Sequence, residues 1–281
     1  MPPPADPLDD YRRLNDPVTR RRVERRGGYF VVEGLLALEA LLGSPYPVRS
    51  VLASERRAAR VAALVDGRAP LVVRPEADVA AVAGFDVHRG VLAAADRLPL
   101  PEPGALTATA RLVVVAEGLV DHENVGALFR NAAAFGAGAV LLDPTTADPL
   151  YRRSVRVSVG HVLRVPWTRE PRWPQGLADL ARRGFDVVAL APTGEQALDD
   201  LAREAASGLR GPVTAGGGAG RTARLALVVG SEGAGLSAGA LAASTRRVRI
   251  PLAPGVDSLN VATAAAVALH ALAPASGVEL T

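Results

Sequence analysis

The chain contains no cysteine, which excludes a disulfide framework, a thiolate nucleophile and any cysteine-bearing zinc or iron–sulfur site. Lysine is absent as well, and all 32 basic residues are arginine, so a P-loop, which ends its glycine-rich turn on a lysine, is excluded too. Histidine is scarce: His88, His122, His161 and His270 are scattered, with no pair at the four-residue spacing of a helical metal site. No metal is expected on that ground. No apolar run reaches the roughly 18 to 20 residues of a membrane span, so no membrane partner is expected. The opening stretch MPPPADPLDDYRRLND has no apolar signal-peptide core, and a cytoplasmic protein is the expectation.

What remains is a chain of 281 residues with 49% hydrophobic content. That is enough for one large domain or two modest ones with an ordinary buried core, and it excludes a disordered or fibrous protein. The net charge of +3 is small, and heavy use of Ala, Arg, Gly and Pro weakens any argument from the choice of arginine alone. Placement is more informative. Arg12, Arg13, Arg20, Arg21, Arg22, Arg25 and Arg26 crowd one stretch near the start, which suits contact with nucleic-acid phosphates. A solvated helix face would read the same way.

Two blocks follow. In the first, the run GYFVVEG (28–34) reads as a strand entering a helix over Leu35 to Leu42, with further strands at Val48 to Ala53 and Ala69 to Arg74 and a loop feeding a strand by Ala93. The segment LPLPEPG (98–104) can continue neither a helix nor a central strand, and it marks a linker. The second block offers strands at Leu112–Ala116, Ala139–Leu142, Val162–Val165, Phe185–Leu190, Leu225–Val229 and Arg247–Ile250. Short continuous Val/Leu/Ile runs alternating with helical segments predict an α/β fold, a mostly parallel sheet with helices on both faces. Its ligand crevice should lie beyond the strands' carboxyl ends. Gly208 to Gly220 is too glycine-rich to fold alone and reads as a surface loop.

Three constellations carry the chemistry. The run GLVDHENVGALFRNAAAFG (118–136) follows the first strand of the second block. Val125, Leu128, Phe129, Ala132 and Ala133 make its apolar stripe, Asn124 sits where an N-cap belongs, and Arg130 lies at the stripe's edge. Second, LVVGSEGAGLS (227–237) runs a strand into a glycine turn that holds Glu232 and lets a ligand approach the backbone closely. It lacks the register of a dinucleotide fingerprint. Third, RIPLAPGVDSLNVATAAAVALH (249–270) opens a charge-free helix, Leu259 to Leu272, expected to be buried nearly all round. Capping accounts for one of Ser258 and Asn260 but less readily for both beside Asp257.

Taken in order, these motifs resemble the three signature motifs of the SpoU (TrmH-like) branch of the SPOUT RNA methyltransferases across the whole second block. FVVEG (30–34) and HRGV (88–91) resemble, more loosely, the small ribosomal-protein-like substrate-binding domain that many members carry in front. The resemblance implies a substrate-binding domain over residues 1–100 and a methyltransferase domain over 107–281 ending in a trefoil knot. It implies transfer of a methyl group from S-adenosylmethionine to a ribose 2′-hydroxyl of tRNA or rRNA, by a homodimer with active sites at its interface. Asn124, Arg130, Glu232, Ser258 and Asn260 fall on the family's catalytic positions. Gly230, Ile250, Leu252 and Leu259 fall on its cofactor contacts, largely through main-chain atoms. A guanidinium is a poor proton acceptor near neutrality, so Arg130 is expected to hold the target phosphate and stabilise charge on the 2′-oxygen. Glu232 would orient Arg130 or Asn124, and Ser258 and Asn260 would organise the methionine end of the cofactor and the ribose. Arg20, Arg21, Arg22, Arg25 and Arg26 are the expected RNA contacts. The alternative is a non-catalytic RNA-binding or ribosome-assembly protein of the same fold, which cofactor binding would discriminate.

Overall fold

The computed structural model describes residues 6–12, 14–16, 28–85, 87, 90–206, 224–274 and 277. Arg20, Arg21, Arg22, Arg25, Arg26, His88 and the Gly208 to Gly220 stretch lie outside the described residues. In chain order the elements are β1 (Tyr29–Glu33), α1 (Leu35–Leu42), β2 (Val48–Ser54), α2 (Ala58–Val65), β3 (Leu71–Arg74), α3 (Glu76–Ala83), β4 (Val91–Asp96), α4 (Pro103–Leu106), β5 (Leu112–Ala116), α5 (His122–Ala134), β6 (Ala139–Leu142) and α6 (Arg152–Val157). They continue as β7 (Trp167–Arg169), α7 (Gln175–Arg182), β8 (Phe185–Leu190), β9 (Gln196–Ala197), α8 (Leu198–Ala206), β10 (Arg224–Val229), α9 (Ala238–Ala243), β11 (Arg246–Arg249) and α10 (Val261–Leu272). They fall into two compact units, residues 1–99 with 148–164 and residues 100–147 with 165–281.

The first unit is built on a four-stranded sheet in the order β1-β4-β2-β3, antiparallel at β1–β4 and β4–β2 and parallel at β2–β3. All five residues of β1 are buried, which explains its unbroken apolar run with only Glu33 at its end. Glu33 is itself buried, and its carboxylate lies 3.7 Å from both Arg152 and Arg156 of α6. Gly34 links β1 to α1 at φ 92, a backbone conformation open to glycine and strained for other residues. The short helix α6, from the interior of the chain, thereby folds with the first unit and packs on β1.

The second unit is a seven-stranded sheet in the order β7-β6-β5-β10-β8-β11-β9, parallel at every pairing. Alternate strand residues (Val113, Val115, Leu141, Val187, Ala226, Val228) make one core cluster with Leu177 and Leu180 of α7 and with Leu236 and Ala240. The intervening residues point the other way, and α5 and α10, packed on each other, lie against β6 and β10 outside that cluster. Both faces of the sheet are covered. One expected strand is absent. Val162 and Leu163 are buried in a single 3-10 turn over His161–Leu163, entered through Gly160 at φ 81, and the strand lies further on at β7. Their apolar character reflects burial in a turn, which periodicity over four residues cannot tell from a strand.

Candidate functional site

The carboxyl ends of β8, β10 and β11 open onto one cleft of ≈ 710 Å³. Its floor is the turn after β10, from Gly230 to Gly235, and its wall is the segment from Arg249 to Val261 that leads into α10. The turn's geometry demands its glycines. A side chain at Gly230 would stand 2.4 Å from the Gly235 carbonyl carbon, and Gly233 and Gly235 hold φ 87 and 68. The turn closes through the Gly235 amide, which donates to the Ser231 carbonyl at 3.0 Å. The result is bare main chain facing the cleft.

Asn260 joins the three motifs. Its Oδ1 accepts from the backbone amides of Ala262 and Thr263, capping α10, while its Nδ2 donates to Glu232 Oε1 at 2.7 Å and to Asn124 Oδ1 at 2.9 Å. Each of its polar atoms is engaged, so turning the side chain would break several hydrogen bonds at once. Asn124 is only 8% exposed. It is not the helix cap that its spacing suggested. Asp121 caps α5, accepting from the Glu123 amide at 2.9 Å, and this leaves Asn124 inside the first turn, free to meet Asn260. Asn131, one helical face along, donates from Nδ2 to the Ala262 carbonyl at 2.7 Å and ties α5 to the first turn of α10.

The structure brings Asn124, Glu232 and Asn260 together, and Gly230, Ile250, Leu252, Ser258 and Leu259 join Glu232 and Asn260 in lining the cleft. Arg130 is not among them. It is exposed, it lines no part of the cleft, and it makes no hydrogen bond or ion pair among the described residues. Within the described residues Glu232 meets Asn260. The helix α10 also begins at Val261, two residues later than expected, and is not buried all round. Thr263, Val267 and His270 are exposed, Val267 by 41%, because α5, α8 and β10 leave that side of the helix uncovered.

Next to this cluster the loops after β5 and β6 are tied by Asp143. Burial would raise the pKa of its carboxyl, but hydrogen bonds from the Thr145 and Thr146 hydroxyls and the Gly118 and Thr145 amides outweigh it and hold the group below the usual carboxylate value. Polar residues of the region that escaped the sequence reading include Asn131 and the buried Glu117. The signals were present: Asn131 sits beside Arg130 in the first motif, and Glu117 is a lone acid directly after a fully apolar strand.

Fold and site together define a parallel α/β domain whose small-molecule cleft lies at its strands' carboxyl ends. The model of the SpoU rRNA methylase family matches residues 111–270, more than half of the chain, and the chain belongs to that family. It is 43% identical over 269 residues to an uncharacterized tRNA/rRNA methyltransferase of Mycobacterium tuberculosis, covering 95% of this chain and 88% of the relative. Among solved structures, an RNA 2′-O ribose methyltransferase is similar with a TM-score of 0.69 and 26% identity, covering 97% of this chain and 96% of that one. The SpoU methyltransferase AviRb of Streptomyces viridochromogenes, in complex with AdoMet, shares the fold with a TM-score of 0.73 at 22% identity, covering 95% and 97%.

Proposed function

We propose that the protein is an S-adenosylmethionine-dependent methyltransferase acting on a ribose 2′-hydroxyl of tRNA or rRNA in the cytoplasm, as a homodimer. The carrying observation is the Asn124–Asn260–Glu232 cluster on the cleft of a SpoU-family chain. The names of its M. tuberculosis relative and of the 2′-O ribose enzyme that shares its fold support the RNA and ribose readings. The C-terminal trefoil knot implied by the resemblance belongs to the same proposal.

The residues suit the cofactor. A cleft of ≈ 710 Å³ falls within the roughly 300 to 1,000 Å³ of small-molecule sites. Leu190, Val229, Ile250, Leu252 and Leu259 offer apolar walls, while Glu232 and Asp257 offer carboxylates to a cationic, hydroxyl-bearing ligand. When bound, S-adenosylmethionine supplies a methyl group already activated by its sulfonium. The protein's part is then mainly alignment. Main-chain groups around Gly230, Ile250, Leu252 and Leu259 would hold the cofactor, and Ser258 and Asn260 would orient its methionine end and the acceptor ribose. Asn124 and Glu232 keep Asn260 in place from two sides.

Arg130 would anchor the target phosphate and stabilise negative charge developing on the 2′-oxygen. Exposed and unpaired, with no place on its own chain's cleft, it is assigned here to the cleft of a second copy. The exposed Thr263, Val267 and His270 of α10 supply a face for that copy. The domain over residues 1–100, with Arg20, Arg21, Arg22, Arg25 and Arg26, would add affinity for RNA phosphates.

Mapping 2′-O-methylation in tRNA and rRNA with and without the gene tests the reaction, and calorimetry with S-adenosylmethionine tests the cofactor. Loss of methylation at discrete nucleotides and saturable cofactor binding are expected. Unchanged methylation despite tight binding would overturn the ribose assignment, and absence of binding would leave the non-catalytic RNA-binding reading in its place.

A further inference from the structure

Glu117 directly follows β5, and it touches the glycine turn at both of its ends. Its backbone amide donates to the carbonyl of Val229, the residue that enters the turn, at 2.9 Å. Its carboxylate meets the exit: Oε2 accepts from the Ser237 backbone amide at 2.9 Å. Between these two contacts lie Gly230 to Leu236, and that span includes Glu232, the partner of Asn260. The other carboxylate oxygen, Oε1, accepts from the indole Nε1 of Trp173 at 2.6 Å, and Trp173 packs against the core cluster beneath the sheet. The Ser237 hydroxyl meanwhile caps α9 by accepting from the Ala240 amide at 3.1 Å. Glu117 is only 9% exposed, so its carboxylate depends on these donors more than on water.

A buried carboxylate that accepts two hydrogen bonds from fixed donors is held rigidly, because charge-assisted bonds are short and strong and losing either leaves a buried polar group unmatched. Nothing in the methyl-transfer reading uses Glu117, and it does not line the cleft. A carboxylate is nonetheless an expensive group to bury where a neutral side chain would pack. We propose that Glu117 is a positioning residue for the cofactor. By clamping entry and exit of the Gly230–Leu236 turn against Trp173, it fixes the main-chain groups and Glu232 in the cleft at the spacing the ligand needs. The inference rests on the cofactor assignment made above and goes beyond it in naming what holds the cofactor turn.

The test is Glu117→Gln, which keeps the volume but turns an amide N–H₂ toward one of the two donors. S-adenosylmethionine binding by calorimetry should weaken about 10-fold or more, since losing one buried hydrogen bond to a charged acceptor has an effect of that order. KM for the cofactor should rise in step, while saturating cofactor restores kcat to near the wild-type value. Trp173→Phe, which removes one donor and leaves Ser237 bonded, should give a smaller rise and serves if Glu117→Gln does not fold. A merely structural role would lower the melting temperature and leave the dissociation constant and KM of the folded protein unchanged, and that result overturns the proposal. A wild-type protein that binds no S-adenosylmethionine would instead refute the cofactor reading. In that event amide hydrogen exchange decides: the Ser237 amide should exchange faster in Glu117→Gln than in wild type, and equal rates would end the clamp.

Discussion

At the scale of single residues, the site depends on Asn260, which does two separable jobs. Its Oδ1 caps α10 and its Nδ2 bridges Asn124 to Glu232. Asn260→Ala removes both. The lost cap costs about 1 kcal/mol, and stranding the buried Asn124 oxygen adds about 1 to 3 kcal/mol. Asn260→Asp separates the two jobs, since a carboxylate still caps the helix but cannot donate, and it sets a negative charge against Glu232. Thermal unfolding should find Asn260→Asp the more stable of the two variants, whereas calorimetry should find both impaired in binding S-adenosylmethionine. Wild-type affinity in Asn260→Asp would show that the bridge is dispensable. The residues of this cluster were legible in the sequence because each is a polar exception in an apolar or glycine-rich run. Their partners were not legible, because the pairs that meet are separated by 136 and 28 positions, and a spacing rule reaches only a few residues.

At the scale of elements, the longer parallel strands announce themselves, and β5, β8 and β10 stand where their Val/Leu runs placed them. Short apolar segments do not, as the turn at Val162 and Leu163 demonstrates. Contacts made by irregular chain are the least legible of all. The segment Asp9–Tyr11 lies in a polar, charged stretch of sequence, yet Tyr11 is wholly buried in the first unit. The reason lies in the sheet: the register of β2 against β4 slips at Arg49, between Val48 and Ser50. The Tyr11 hydroxyl fills that irregularity, donating to the Ser50 carbonyl at 2.7 Å and accepting from the Ala94 amide at 3.2 Å. Burial pushes the phenol well above its usual pKa, against the opposing pull of its hydrogen bonds, so it remains a neutral donor at any ordinary pH. Tyr11→Phe leaves the ring in the core and orphans the two backbone groups. It should destabilise the first unit by about 1 to 3 kcal/mol, read as a lower denaturant midpoint by fluorescence. An unchanged midpoint would mean that water replaces the phenol.

At the scale of the whole molecule, the chain does not divide at one linker. Residues 148–164 fold with the first unit although residues on either side belong to the second, and no composition shift marks the excursion. Deleting residues 1–99 alone would strip α6 of β1 and of its Glu33 ion partner, so a truncation is a poor test of which unit does what. Assembly offers a cleaner one. Glu232 lines its own cleft and Arg130 does not, and in an isologous dimer each of two clefts would take Glu232 from one chain and Arg130 from the other. Arg130→Ala should be nearly inactive alone, since removing one charge-stabilising donor commonly lowers the rate about 10²- to 10³-fold, and Glu232→Ala should be strongly impaired because Asn260 loses the carboxylate that holds it. Mixed and allowed to exchange, they should regain activity. In a hybrid dimer one cleft carries both substitutions and the other carries neither, and hybrids make up half of a random mixture, so about a quarter of wild-type methyl transfer should return. Sedimentation of the same mixture should give twice the 29.0 kDa chain mass. A mixture that sediments as dimers yet stays inactive would place Arg130 and Glu232 in the service of the same chain's cleft, and a fully active monomer would remove the dimer from the mechanism altogether.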